Sequence, residues 1–393
     1  MGRVKVLILT GSYGGGHEQA ARALEQAFNA VPDRFSADVL DVTSLMPQTL
    51  DALEKRAFLA GVTHFPSVYH FFYRCTQKNN PMSAFIKAFT TTGMAKLIPI
   101  IESARPNLII SSFPPAAIMV SRLKRAGHFI DLPFLTVITD YSVHSTWVNA
   151  FTDAYLVASD EVRRRLIAMH VDPRRILVTG IPIQPDFSMK SKRALLRQKY
   201  GFSDRDQVLL IMGGGCGIFG HYTPFLKQLE NGHVDHLHVI VICGHNEKAV
   251  EMFNSYSQTS KQDIRVLGFV NNMNEWMALA DLLMTKPGGL TVSEAIASEL
   301  PMLIYRPLGG QEMDNTKFLL RSGMSVAAFS AAELITMLTD LLQHPSALAI
   351  MRENMNTFSH NQQISAERAV TAATAMFAEN PVAIHESSMI EFA

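Results

Sequence analysis

Three glycines stand directly before a histidine in TGSYGGGHEQAARAL, residues 10–24. Glycines at Gly14, Gly15 and Gly16 let backbone N–H groups approach a ligand closely, and the run that follows predicts a helix starting near His17. The positive end of that helix disfavours imidazolium, so His17 is expected to stay neutral and able to accept a proton. The same residues also suit a plain tight turn with His17 capping its helix, and a glycine run by itself does not separate the two readings.

A second group of chemistry-bearing residues lies in MTKPGGLTVSEAIASELPMLIYRPLGGQEMDN, residues 284–315. It reads as strand, glycine turn, helix, short strand and polar loop. Gly288 and Gly289 open a helix whose first amides, with the Thr291 hydroxyl, could hold a diphosphate, and Lys286 brings a positive charge to the same turn. Glu294 is placed in the first turn, where a carboxylate can accept hydrogen bonds from paired ribose hydroxyls. An ordinary acidic residue favoured by the helix dipole is the competing reading.

These groups need elements to hold them. At 393 residues, with 48% hydrophobic and 18% charged residues, the chain suits two packed domains rather than one. VKVLILT, NLIISS, PFLTVIT, AYLVAS and ILVTG are near-continuous apolar runs separated by helical stretches, as in a parallel sheet covered on both faces. GIPIQPDFSMKSKR (180–193) interrupts with prolines and charge, and the alternation then restarts with DQVLLIMGGG, HVIVICG, IRVLGFV, DLLMTKPGG and PMLIYRP. The expected fold class is therefore α/β, with two doubly wound Rossmann-like domains facing across a cleft into which the carboxyl ends of their strands open. Boundaries fall at 1–183 and 184–365, with a C-terminal helix at about 366–380 placed to pack back on the first domain.

Charge and cysteine content narrow the classes further. Lys plus Arg and Asp plus Glu both number 35, which removes the whole-chain electrostatic case for nucleic acid. Cys75, Cys216 and Cys243 are far apart and odd in number, so neither a disulfide framework nor a paired zinc site is suggested, and a reduced cytosol fits. No apolar run approaches the length of a bilayer span. GCGIFG (215–220) satisfies the spacing of a dinucleotide fingerprint, yet the following strand ends in glycine where the ribose-binding acid would stand. His233, His236 and His238 read as solvated turn histidines rather than metal ligands. MNEWMALADLLM reads as core packing.

Several separated blocks resemble the GT-B glycosyltransferases, in particular the bacterial diacylglycerol glucosyltransferases and plant monogalactosyldiacylglycerol synthases. They are the ILTGSYGGGHEQAARAL block, TVITDYSVHSTWVNAFTDAYLVAS (136–159), VTGIPIQPDF, IMGGGCGIFG, ICGHNEK, VLGFVNNMNEWMALADLLMTKPGGLTVSEA and LPMLIYRPLGGQEMDN, in that order. The resemblance implies an inverting transfer of a hexose, glucose or galactose, from a UDP-sugar to diacylglycerol, with no resident cofactor and no metal. It implies that the second domain holds the donor: uracil near Phe269 and Val270, diphosphate near Gly213, Gly214 and Gly215 with Lys286, ribose at Glu294, and sugar near Gln311, Glu312 and Asn315. In the first domain His17 matches the general base. Asp140 is the alternative base or the group orienting His17 or His144, and Tyr141 and Trp147 are candidates for the acceptor pocket, a structural role being open for both.

From Lys55 to Ile101 the chain has no Asp or Glu but carries Lys55, Arg56, Arg74, Lys78, Lys87 and Lys96, interleaved with eight Phe or Tyr residues. That composition suits a surface resting on anionic lipid headgroups, although helices with buried aromatic faces would show the same pattern. The expected location is the cytoplasm, peripheral on the inner face of the cell membrane. A GT-B transferase with another acceptor, a UDP-sugar epimerase and a non-catalytic UDP-sugar sensor remain the competing functions.

Overall fold

The computed structural model describes residues 3–12, 15–45, 93–188, 192–214, 236–362 and 366–379. The chain divides into two compact units, Met1–Pro185 with Gln362–Ala393, and Asp186–Asn361. Gly14, Cys75, His233, all of GCGIFG with Gly215 and Cys216, and the acid-free span up to residue 92 lie outside the described residues.

The first unit runs β1 (Val4–Thr10), α1 (Gly16–Asn29), β2 (Phe35–Asp41), α2 (Met94–Ala104), β3 (Leu108–Ser111), α3 (Pro114–Arg125), β4 (Phe134–Val137), β5 (Ala154–Val157), α4 (Asp160–Ala168) and β6 (Ile176–Val178). Its sheet has the order β2-β1-β3-β4-β5-β6, with every pairing parallel. Successive side chains of β1 point to opposite faces, which is why the strand is apolar almost throughout. Val4, Val6 and Ile8 pack with Leu24 and Phe28 of α1, whereas Leu7 and Leu9 pack with Leu97 and Ile101 of α2 and with Val120 and Leu123 of α3. Strand order reverses between β1 and β3, so the chains leaving their carboxyl ends diverge and open a crevice there.

The second unit runs α5 (Arg193–Tyr200), β7 (Gln207–Met212), β8 (Leu237–Ile242), α6 (Glu247–Ser257), β9 (Asp263–Leu267), α7 (Met273–Leu279), β10 (Leu282–Thr285), α8 (Gly289–Ala297), β11 (Met302–Tyr305), α9 (Gln311–Arg321), β12 (Ser325–Ala328), α10 (Ala331–Gln343) and α11 (Pro345–Gln362). Its parallel sheet has the order β12-β11-β10-β7-β8-β9, so the reversal falls between β7 and β10. The amino ends of those two strands are tied by Asp281. Its carboxylate accepts from Arg193 Nη2 at 2.6 Å, from Arg197 Nη1 at 3.2 Å and from the Val208 N–H at 2.9 Å. A final helix, α12 (Glu367–Glu379), returns to the first unit and packs Ala369, Val370, Ala373 and Phe377 into the core beside α1.

The ten expected strands are present. Two more, β2 and β12, are edge strands whose sequences, FSADVLD and SVAA, carry too little apolar character to announce themselves. Trp276, Met277 and Met284 are buried, as core packing requires. His238 is a correction to the reading of a solvated turn. It stands inside β8 opposite Asp263, with Nδ1 2.6 Å from Asp263 Oδ2. Among the described residues no group of His, Cys, Asp and Glu is arranged to hold a metal ion. Cys243 is buried, and burial pushes its thiol up to about 11. Among the described residues no helix is long and apolar enough to cross a membrane.

Candidate functional site

In the first unit the crevice between β1 and β3 is occupied by His17. Gly15 caps α1 with φ +77, a left-handed conformation that glycine adopts without strain, and His17 follows in the first turn. Its Nδ1 lies 2.7 Å from the carbonyl oxygen of Ser112, just beyond β3. A carbonyl can only accept, so the bond places the proton on Nδ1 and leaves the lone pair of the neutral ring on Nε2. The Ser112 hydroxyl completes the clasp by donating to the His17 carbonyl at 3.0 Å and to Thr10 Oγ1 at 3.1 Å.

Aromatic rings wall this imidazole. Phe113 and Trp147 have centroids 5.2 and 6.1 Å from it, and Trp147 is also 6.0 Å from the ring of His144. Burial pushes His17 down to about 4, outweighing the Ser112 bond that acts the other way. Burial likewise holds His144 at about 4, reinforced by the neighbouring His17. His144 Nδ1 is bonded to the Thr146 hydroxyl. Asp140 is buried, and the group holding the His17 ring is the Ser112 carbonyl rather than this carboxylate. Tyr141 and Trp147 are both fully buried. Trp147 packs against both imidazoles.

Gly11 explains how Phe113 comes so close. A Cβ at that position would lie 2.4 Å from Phe113 Cε1, well inside contact distance. Gly11→Ala is expected to destabilise the protein by about 1–3 kcal/mol through overpacking and to lower turnover by displacing Phe113 against His17. Thermal unfolding and steady-state kinetics check it.

In the second unit the reversal brings two turns together. Gly213 and Gly214, the latter with φ +72, follow β7, and Lys286, Pro287 and Gly288 follow β10. The Thr285 hydroxyl donates to the Met212 carbonyl at 3.2 Å and so ties the two strand ends. No atom lies within 4 Å of where a Cβ of Gly288 would stand, which leaves the amino end of α8 open. Thr291 is half-buried in that first turn. Lys286 and Glu312 are mutual counter-charges. Burial lowers the pKa of the lysine, partly offset by Glu312, and raises that of the glutamate, partly offset by Lys286. Glu312 also accepts from the Leu308 N–H at 2.7 Å, and Gln311 begins α9 beside it.

One expectation changes here. Glu294 is in the second turn of α8, since the helix already starts at Gly289; the dipole at the first turn therefore does not account for it. Its carboxyl group has no hydrogen bond or ion pair among the described residues, and burial pushes it up to about 8. Asn315 is fully buried, and its Nδ2 donates to the Pro287 carbonyl at 2.9 Å. That bond braces the turn after β10.

Phe269 is 54% exposed and stacks on His245, with centroids 4.3 Å apart and planes 14° from parallel. Val270 beside it is half-buried. His245, Ser112, Phe113 and Gly11 were not singled out from the sequence. His245 and Gly11 lay within quoted motifs, whereas Ser112 and Phe113 carry no local signal because their partner is 95 or more positions away.

Comparison with known proteins now bears on this geometry. The monogalactosyldiacylglycerol (MGDG) synthase family model matches residues 17–183, and the C-terminal domain model of glycosyltransferase family 28 matches residues 208–367. The processive diacylglycerol β-glucosyltransferase of Bacillus thuringiensis (strain Al Hakam) is 31% identical over 357 residues, covering 90% of this chain and 89% of that one. The chain belongs to this glycolipid-synthase family of glycosyltransferases. The enzyme of the same description from Bacillus cytotoxicus matches with the same identity and coverage, 31% over 90% of this chain and 89% of that one.

Solved structures agree on the fold. MurG from Acinetobacter baumannii is 15% identical with a TM-score of 0.58, covering 92% of this chain and 99% of that one. The UDP-GlcNAc 2-epimerase from Neisseria meningitidis, bound to UDP-GlcNAc, is 12% identical with a TM-score of 0.62, covering 96% and 100%. At these identities the likeness establishes the GT-B architecture and nothing about the reaction.

Proposed function

We propose that the protein transfers a hexose from a UDP-sugar to diacylglycerol, with inversion at the anomeric carbon, and so makes a membrane glycolipid. The observation that carries this reading is the His17 imidazole, held neutral with its lone pair on Nε2 in a family member. An aliphatic hydroxyl is a weak nucleophile and needs a base as it attacks. A base depressed to about 4 takes the proton late, when the bond to the leaving diphosphate is already well broken and the hydroxyl has become acidic. Lys286, the open amino end of α8 and the Thr291 hydroxyl then stabilise charge on the departing UDP. Glu294 accepts the ribose hydroxyls, Gly213 and Gly214 let the diphosphate approach the backbone, and Gln311 with Glu312 faces the sugar. The exposed Phe269 ring offers a face to uracil.

The glycerolipid acceptor implies work at a bilayer surface, and we assign the protein a peripheral association with anionic membrane. UDP release tests the function. With diacylglycerol vesicles, UDP should appear from UDP-glucose or UDP-galactose in proportion to the lipid. Sugar rearrangement without any lipid would mark an epimerase, and binding without turnover a sensor.

A further inference from the structure

The imidazole of His17 has two oxygen atoms on one nitrogen. Besides the Ser112 carbonyl at 2.7 Å, the hydroxyl of Thr139 lies 2.9 Å from the same Nδ1. Thr139 follows β4 by two residues and is buried, so its hydroxyl has little freedom to turn elsewhere. The two oxygens come from residues just beyond different strands, β3 and β4, which are paired in the sheet. Rotating the ring by half a turn would break both contacts at once and aim Nδ1 away from them. The only polar partners of the ring among the described residues are therefore neutral.

That choice has chemical content. A carboxylate on Nδ1 would also fix the tautomer, but it would favour imidazolium and raise the pKa by one or more units. The carbonyl fixes the tautomer and the hydroxyl adds a second oxygen on the same nitrogen, neither bringing a charge, so the ring stays the weak base that a late proton transfer uses.

Resting on the reading of His17 as the base, we propose that Thr139 is a positioning residue: with the Ser112 carbonyl it pins the Nδ1–H of His17 and thereby aims the Nε2 lone pair. Thr139→Val keeps the shape and removes the hydroxyl, and Thr139→Ser restores it. Thr139→Val should lower kcat by about tenfold with KM for the UDP-sugar within about twofold of wild type. It should also move the acid limb of the kcat profile to lower pH, because the imidazolium loses an oxygen acceptor. In nitrogen-15 NMR of histidine-labelled protein the Ser112 carbonyl should hold His17 as the Nδ1–H tautomer in all three proteins, and the Nδ1–H proton, protected from exchange in the wild type and Thr139→Ser, should exchange faster in Thr139→Val. Wild-type kcat and unchanged Nδ1–H exchange in Thr139→Val would overturn the assignment, as would an equal loss in both variants with the exchange unchanged, which would make Thr139 a packing residue. Near-normal turnover in His17→Ala would instead remove the base, while the NMR readout would still decide whether Thr139 pins the ring.

Discussion

His17→Ala lowers turnover by about 100-fold or more and leaves UDP affinity within about twofold of wild type. The split follows from where the residue stands. His17 is in the first unit at the end of β1, whereas Lys286, Glu294 and the α8 amino end belong to the second. Removing the imidazole takes away the proton acceptor and none of the groups assigned to the nucleotide. The wild-type pH profile provides an independent check. With the pKa lowered from 6.5 to about 4, His17 is deprotonated over the whole neutral range, so activity should fall on the acid side near pH 4 rather than near pH 6.5. Stopped assays with single-turnover controls separate a chemical defect from slow product release. Turnover close to wild type would pass the role to His144 or Asp140.

Glu294→Gln has the second large effect, and it acts in opposite directions on binding and stability. Replacing the carboxylate should remove the charge-assisted hydrogen bonds proposed to the ribose, weakening UDP-sugar binding by about 1.5–3 kcal/mol, or roughly 10- to 150-fold. In the empty protein the carboxyl is pushed up to about 8 by burial, while hydroxyl donors favour its ionised form. Donor binding therefore expels a proton at neutral pH, and wild-type affinity should strengthen as pH rises to about 8 and level off above it. A UDP-sugar is the suitable probe, since its diphosphate has no proton to lose in this range.

The stability sign is the reverse. Above the ordinary carboxylate value the unfolded chain releases a proton that the folded protein retains, so stability falls as pH rises from about 4.5 to about 8. Glu294→Gln removes this penalty. Its melting temperature should exceed that of wild type at pH 8, and the difference should vanish near pH 4. Unchanged UDP-sugar affinity by calorimetry would take Glu294 out of the site.

The sequence announced what burial forces upon it. β1, β7 and β10 lie inside their sheets and are apolar on both faces, so VKVLILT, QVLLIM and LLMT could be read as strands without tertiary information. Among the described strands β2 and β12 sit at sheet edges, where the apolar demand relaxes. His17 was legible because glycines clear the turn before it, and Lys286 because it lies in a glycine turn between a strand and a helix.

What the sequence could not show was partnership. The Ser112 carbonyl is a backbone atom that any residue could supply, so no side-chain pattern marks it as the clasp of His17. Glu294 was placed one turn too early: the glycines were read as opening the helix, and with Gly289 its first residue Glu294 is the sixth, already in the second turn. Asn315 belongs to a motif that resembles a sugar-contact loop, but its amide bridges 28 positions back to Pro287, a distance at which local sequence carries no information.

The central claim is tested most directly by the product itself. Wild-type protein and His17→Ala, each incubated with diacylglycerol vesicles and labelled UDP-glucose or UDP-galactose, are extracted, and the labelled lipid is identified by mass and by the proton coupling at its anomeric carbon. The account predicts a hexosyl-diacylglycerol of inverted, β configuration from one of the two donors, with His17→Ala making at least about 100-fold less. A labelled product of retained configuration, or label that stays in the water-soluble fraction with every lipid present, would contradict it.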